Sequence, residues 1–197
     1  MRPREFDHDD VLRVAFEQFW RKGVRGTQLS DIARDAGVQR GSLYNAFGSK
    51  EALFLAAYER YAGEYLNGLQ KTLGSGSLRK RLTAFFDLTI TNFRSGSPSR
   101  GCPTTRGLME LSPVEGEGLD DNARQAFADL MTRINALLQQ ALVEGAGRGE
   151  FSGDPETAAL HIATVTRGLA VLERAYGDEA QLRNIATHTI DLLLGKA

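Results

Sequence analysis

Three observations predict an all-α protein. Apolar residues recur at helical spacing in one segment after another along the 197 residues. The breaks between segments carry glycine, proline or a side chain suited to cap a helix. No stretch sustains the β-branched alternation of a half-buried strand. The chain is long enough to bury a substantial core, and its 42% hydrophobic and 25% charged content is ordinary for a globular protein. No apolar run approaches the length of a membrane span, and the polar start from Arg2 to Asp10 does not read as a signal peptide. The one cysteine, Cys102, excludes an intramolecular disulfide and fits a reducing cytosol, so a cytoplasmic location is expected.

Asp7 is placed to cap the first helix, with Asp9 and Asp10 in its first turn. Val11, Leu12, Ala15, Phe16, Phe19 and Trp20 form its apolar stripe, and Gly23 is expected to end it. Thr27 is expected to cap a second helix bearing Leu29, Ile32, Ala33 and Ala36, which Gly37 closes. A third helix runs from about Arg40 to Phe47. Ser49 caps a fourth, which ends near Leu73 before Gly74-Ser75-Gly76. Further helices are predicted over Leu78–Phe93, from Pro103 through Leu111, over Leu119–Glu144, from Pro155 to Tyr176 and from Glu179 to Leu194. Asp154 and Asp178 stand as caps for the last two. Gly145 to Gly149 reads as an interhelical turn, because no strand precedes it and no Gly-Lys-Ser/Thr follows.

Little here suggests catalysis. The His8-Asp9-Asp10 triplet lies on adjacent helical positions, which do not converge on one ion. His161 and His188 stand beside no nucleophile motif, and no zinc spacing or nucleotide loop occurs. We therefore expect no catalytic residues, no metal and no cofactor.

The informative stretch is Thr27 to Lys50, two short helices joined by a tight glycine turn. Leu43 and Phe47 point the second helix inward and leave Arg40, Ser42, Tyr44 and Asn45 outward, as a helix-turn-helix requires for entry into a DNA major groove. Net charge is −1, so overall charge does not advertise nucleic acid. Locally, Lys22, Arg25, Arg34, Arg40 and Lys50 face only Asp31 and Asp35. By chemistry Gln39, Arg40, Ser42 and Asn45 suit base edges, and Gly41 permits close approach. Gln39 is a poor cap for the helix that it precedes.

In order and spacing, Asp31-Ile32-Ala33, Ala36-Gly37-Val38, Gly41-Ser42-Leu43-Tyr44, Phe47 and Ser49-Lys50-Glu51-Ala52-Leu53 resemble the N-terminal domain of TetR-type transcriptional repressors. The resemblance covers roughly Asp7 to Leu55. It implies a DNA-binding domain over residues 1–49 and a helical effector-binding and dimerisation domain over 50–197. It also implies that Tyr44, Lys50 and Thr27 touch phosphates of double-stranded DNA carrying a palindromic operator. Asn45-Ala46 departs from the pair frequent in the family, so its base preference does not transfer.

Two half-sites need two copies, and the last two helices, which pair with their mates in such repressors, look apolar on more than one face. Ile162, Val165, Gly168, Leu169, Leu172, Leu182, Ile185, Thr189 and Leu193 are the candidate homodimer contacts. The resemblance further implies an effector cavity, for which Phe85, Phe86, Phe93, Met109, Phe127 and Met131 are candidate walls. Cys102 precedes Pro103 at a helix start, flanked by Arg100 and Arg106. Helix-terminal N–H groups and nearby cations favour thiolate. Arg100-Gly101-Cys102 with Glu110-Leu111 resembles a subgroup of these repressors that respond to electrophiles or oxidants through a cysteine, although Pro103-Thr104-Thr105 departs from it. The expected function is a repressor relieved by a small-molecule or thiol-reactive effector. A helical ligand-binding or adaptor protein that has lost specific DNA binding is the alternative.

Overall fold

The structure, a computed structural model, describes residues 7–96, 99, 101–111 and 118–196. Among these residues the regular structure is helical throughout: α1 (His8–Gly26), α2 (Leu29–Asp35), α3 (Arg40–Phe47), α4 (Lys50–Thr72), α5 (Leu78–Phe93), α6 (Pro103–Glu110), α7 (Gly118–Gly147), α8 (Pro155–Tyr176) and α9 (Glu179–Leu194). Most boundaries are set by local chemistry. Asp7, Ser77, Asp154 and Asp178 accept backbone N–H bonds at the starts of α1, α5, α8 and α9. Pro155 opens α8, and left-handed Gly177 closes it. The Ser49 hydroxyl accepts the N–H of Ala52 at 3.0 Å to start α4.

By its contacts the chain forms two compact units, Met1–Glu64 with Gly107–Phe127, and Tyr65–Arg106 with Ala128–Ala197. In the first, Val11, Ala15, Phe16, Phe19 and Trp20 of α1 form a core with Leu29 and Ile32 of α2, Leu43 of α3 and Leu53, Phe54 and Tyr58 of α4. Aromatic rings dominate it: Phe16 stacks on Tyr61 at 4.4 Å, and Phe127 meets Tyr58 edge-on at 4.8 Å. Gly107 lies so close to the Phe127 ring that a Cβ there would fall 2.3 Å from Cζ.

Two features at the end of α1 differ from expectation. Gly23 interrupts the helix at φ 78°, ψ 164° as expected, but the chain does not leave it there: a further helical turn runs to Gly26 beyond the kink. Thr27 closes α1 instead of capping α2. Its buried hydroxyl donates to the carbonyl of Gly23 at 2.6 Å, satisfying an acceptor that the kink frees. Gln28 takes the cap position of α2 without a side-chain bond.

In the second unit α5, α8 and α9 pack together. Leu78, Leu82, Phe85, Phe86, Ile90 and Phe93 of α5 share the core with Ile134 and Leu138 of α7, Ile162 and Leu169 of α8, and Leu182 and Ile190 of α9. Arg81 is buried there, giving Nε–H to the Leu73 carbonyl at 2.5 Å and Nη2 to Glu144 at 2.9 Å. α7 continues through Gly147, so the first half of the predicted Gly145–Gly149 turn is helical. Gly145 is required there, because a Cβ would fall 2.5 Å from the Leu78 side chain.

Candidate nucleic-acid interface, cysteine site and partner face

The turn between α2 and α3 depends on Gly37 at φ 66°, with the Val38 N–H bonded to the Ala33 carbonyl at 2.9 Å. Leu43 is the buried anchor of α3. The helix then presents Arg40, Gly41, Tyr44, Asn45 and Ala46 to solvent, with Gln39 just before them and Ser42 half-buried. Gln39 occupies the cap position of α3 without a side-chain bond, and no acid lies in the first turn. That end keeps open N–H groups and a positive dipole, which suit a phosphate.

Tertiary contacts sort the local charges. Lys22 pairs with Asp31 at 2.6 Å, while Arg34 pairs with Asp31 at 3.2 Å and Asp35 at 3.1 Å. The hydrogen bond from Lys22, helped by the charges of Lys22 and Arg34, holds the Asp31 carboxyl below the usual range against the opposing effect of desolvation. Two of the five cations counted in the sequence are thereby held by the two acids. Arg40 has no carboxylate partner among the described residues; its guanidinium carbon sits over the Tyr44 ring, 5.4 Å from the centroid, and Nη2 reaches the Tyr44 hydroxyl at 3.3 Å. Lys50 is half-buried, with Nζ 3.5 Å from the Thr27 carbonyl. The Thr27 side chain faces inward, so its hydroxyl serves the turn and not an exposed phosphate position.

Cys102 is 6% exposed and occupies the cap position of α6. Its sulfur accepts the Thr105 N–H at 3.5 Å, and its carbonyl accepts the Arg106 N–H at 3.0 Å. Arg167 of α8 also reaches the sulfur, with Nη1 at 3.2 Å. Sequence reasoning missed that residue and named its chain neighbours: Arg106 lies half-buried on α6, and Arg100 falls outside the described residues. The Tyr65 hydroxyl is withdrawn from solvent although part of the ring stays accessible, and it shares a 3.0 Å hydrogen bond with Thr89.

Burial pushes the Tyr65 phenol up to about 12; the Thr89 bond opposes the rise, negative charge on Cys102 adds to it, and Arg167 opposes it. The folded value exceeds the unfolded one. The stabilisation, on the order of 2–3 kcal/mol, is therefore fully present below pH ~10 and lost as pH rises through ~12. Absorbance titration should show a phenol ionising near 12 that a Tyr65→Phe variant lacks.

The aromatic wall candidates are mostly core. Phe85, Phe86, Phe93 and Phe127 are buried, Met131 is half-buried, and Met109 is 74% exposed. A recess in the first unit is lined by Val24, Arg25, Phe54, Gly107, Glu110, Leu111, Ala123 and Phe127, so it includes Phe127 alone of the six.

On the last two helices, Ile162, Leu169, Leu182 and Thr189 are buried within the protomer, and Val165, Leu172, Ile185 and Leu193 are half-buried. Among the candidate contacts only Gly168 is exposed, and a Cβ there would meet nothing within 4 Å. At helical spacing along α8, Leu160, Thr164, Gly168, Val171 and Ala175 are exposed, and so are Asn184, His188 and Leu192 on α9. The strongest apolar periodicity follows the side of each helix that carries these buried and half-buried residues. The second face, diluted by glycine, threonine and alanine, gave a weaker signal.

Helices in this order, with a glycine-turned α2–α3 pair presenting an exposed recognition helix, define a helix-turn-helix DNA-binding regulator. Residues 11–57 match the family profile "Bacterial regulatory proteins, tetR family", and residues 79–189 match "Tetracyclin repressor-like, C-terminal domain". The chain belongs to the TetR family of transcriptional regulators. It is 28% identical to the HTH-type transcriptional repressor ComR of Escherichia coli, over 97% of this chain and 90% of ComR. It is also 28% identical to the repressor NemR of the same species, over 96% of this chain and 95% of NemR. A crystal structure of E. coli NemR in its reduced form superposes with a TM-score of 0.81 at 27% identity, covering 96% and 98% of the two chains. A cysteine mutant of the regulator CifR, complexed with 26 bp double-strand operator DNA, superposes with a TM-score of 0.83 at 27% identity, covering 98% and 100%. No described helix is long and apolar enough to cross a membrane.

Proposed function

We propose that this regulator is a cytoplasmic, homodimeric repressor that binds a palindromic operator and releases it when a thiol-reactive effector modifies Cys102. Residues 1–49 serve as the DNA-binding domain and 50–197 as the effector-binding and dimerisation domain. Gln39, Arg40, Ser42 and Asn45 face base edges, Gly41 allows close approach, and Tyr44 and Lys50 hold phosphates. The observation that carries the effector reading is the Cys102 sulfur, which caps α6 while Arg167 approaches it at 3.2 Å. Modification at Sγ removes the acceptor for the Thr105 N–H and disturbs the Arg167 contact, so it costs the conformation drawn here more than one in which α6 has shifted. The relatives solved as a reduced form and as a cysteine mutant on DNA support a role for thiol chemistry.

Gel-shift titrations on DNA from around the protein's own gene, at several salt concentrations, test the reading. Tight, salt-dependent binding under reducing conditions should fall at least tenfold after treatment with an electrophile or oxidant, and Cys102→Ser should bind but no longer respond. A Cys102→Ser protein that still releases DNA on treatment ends the thiol part. Equal affinity for random DNA ends the repressor reading and favours the adaptor alternative.

A further inference from the structure

We propose that Arg40 reads a guanine at one fixed position of each operator half-site, and that Tyr44 is the residue that positions it. The inference rests on the reading of this chain as an operator-binding protein and adds what the recognition helix selects.

Arg40 begins α3 and Tyr44 follows one turn later on the same exposed face. Gly41 between them adds no side chain and has open space where a Cβ would stand, so the backbone beside Arg40 can come close to a base edge. The ring of Tyr44 lies against the guanidinium at 5.4 Å, and the phenol oxygen accepts from Nη2 at 3.3 Å. A long, rotamer-rich side chain is thereby held in one arrangement before DNA arrives. A guanidinium carries its five N–H donors in its own plane, so a ring against it leaves the remaining in-plane donors to form a fork. That fork matches the O6 and N7 acceptors of guanine, the commonest specific arginine contact in the major groove.

The neighbouring charges divide the work. Lys22 and Arg34 are held by Asp31 and Asp35, whereas Arg40 faces no carboxylate among the described residues. The Tyr44 hydroxyl accepts from Arg40 and still has its own hydrogen to donate. A phosphate oxygen receiving that hydrogen fixes the ring, and the ring fixes the arginine. Placement on the backbone and reading of the base are then linked through one side chain.

The test begins with duplexes selected from a randomised pool by the full-length wild-type protein. Affinity is then measured for every single base-pair change in the selected site, for wild type and for Arg40→Ala, Arg40→Lys, Tyr44→Phe and Tyr44→Leu. Circular dichroism confirms that these exposed substitutions leave the helices intact. Wild type should prefer guanine at one position per half-site by about tenfold to a hundredfold. Arg40→Ala should lose that preference and keep the others, and Arg40→Lys should retain only part of it. Tyr44→Leu should weaken the same preference and no other, while Tyr44→Phe, which keeps the ring, should preserve more of it. Uniform weakening by Arg40→Ala on all sequences with a shallower salt dependence would make Arg40 a phosphate contact and overturn the proposal. An unchanged preference in Tyr44→Leu removes the positioning role. If wild type selects no sequence, the operator-binding reading itself fails, a result distinct from a selected site whose guanine does not depend on Arg40.

Discussion

Replacing Val171 and Leu192 together with arginine is expected to give a folded monomer that binds operator about 10²- to 10⁴-fold more weakly. Both side chains are large, apolar and open to solvent in the protomer, at 49% and 68% exposure. Their loss therefore removes little from the chain's own core. Together with Leu160 and Gly168 they are exposed apolar positions on α8 and α9, of the kind that a second copy would cover. Two cations brought into an isologous interface face their own symmetry mates, so repulsion and desolvation both oppose assembly. A monomer keeps its contacts to one half-site and loses the effective concentration that the second half-site supplies. Sedimentation should report a single-chain mass with unchanged helix content. Leu182→Arg provides the contrast: that residue is buried within the protomer, and its substitution should unfold the chain. A double variant that stays dimeric would show that another face carries the association.

Gly23→Ala should be among the most damaging single-methyl additions in the molecule, destabilising by about 1–3 kcal/mol from backbone strain alone. At φ 78°, ψ 164° the residue occupies a region that is essentially reserved for glycine. An added Cβ would also fall 2.4 Å from Oε2 of Glu110, the last residue of α6. The carboxylate can swing aside, so that part of the cost is recoverable and the strain is not. A double-mutant cycle with Glu110→Ala separates them: chemical denaturation should show Gly23→Ala rescued only in part in the Glu110→Ala background. Full rescue would mean that the kink itself carries no strain. Operator affinity should fall alongside stability, because Thr27 closes the turn onto the Gly23 carbonyl immediately before α2. Glu110 ends the helix that Cys102 caps, so the cycle also reports on a contact that a change in α6 would reach.

Several elements were legible because the information that builds them is local. Asp154-Pro155-Glu156 names a helix start within three residues, and the side chain of Asp154 takes the Thr157 N–H at 2.9 Å as a cap should. Gly37 marks its turn by the same logic, since only a residue without a Cβ enters the left-handed region freely. Thr27 shows the limit. A threonine before an apolar helix reads as an N-cap, yet the Gly23 kink leaves a carbonyl open, and the hydroxyl turns back to it. Both roles are chemically sound, and only the path of the chain chooses between them.

The candidate interface was likewise half visible. Arg40 and Tyr44 stand one helical turn apart, so their meeting is foreseeable from spacing. That Lys22 is occupied by Asp31 is not, because the two sit on different helices. The sequence alone therefore determined the all-α class, the helix-turn-helix and its outward residues, and the single cysteine at a helix start, all through contacts between residues a few positions apart. The tertiary structure decided that Arg167 comes to the sulfur of Cys102, that Glu110 lies against Gly23, and which residues of α8 and α9 stay exposed on the protomer. Those facts depend on residues distant along the chain being brought together, and helical periodicity carries no record of which apolar face finds the protomer's own core first.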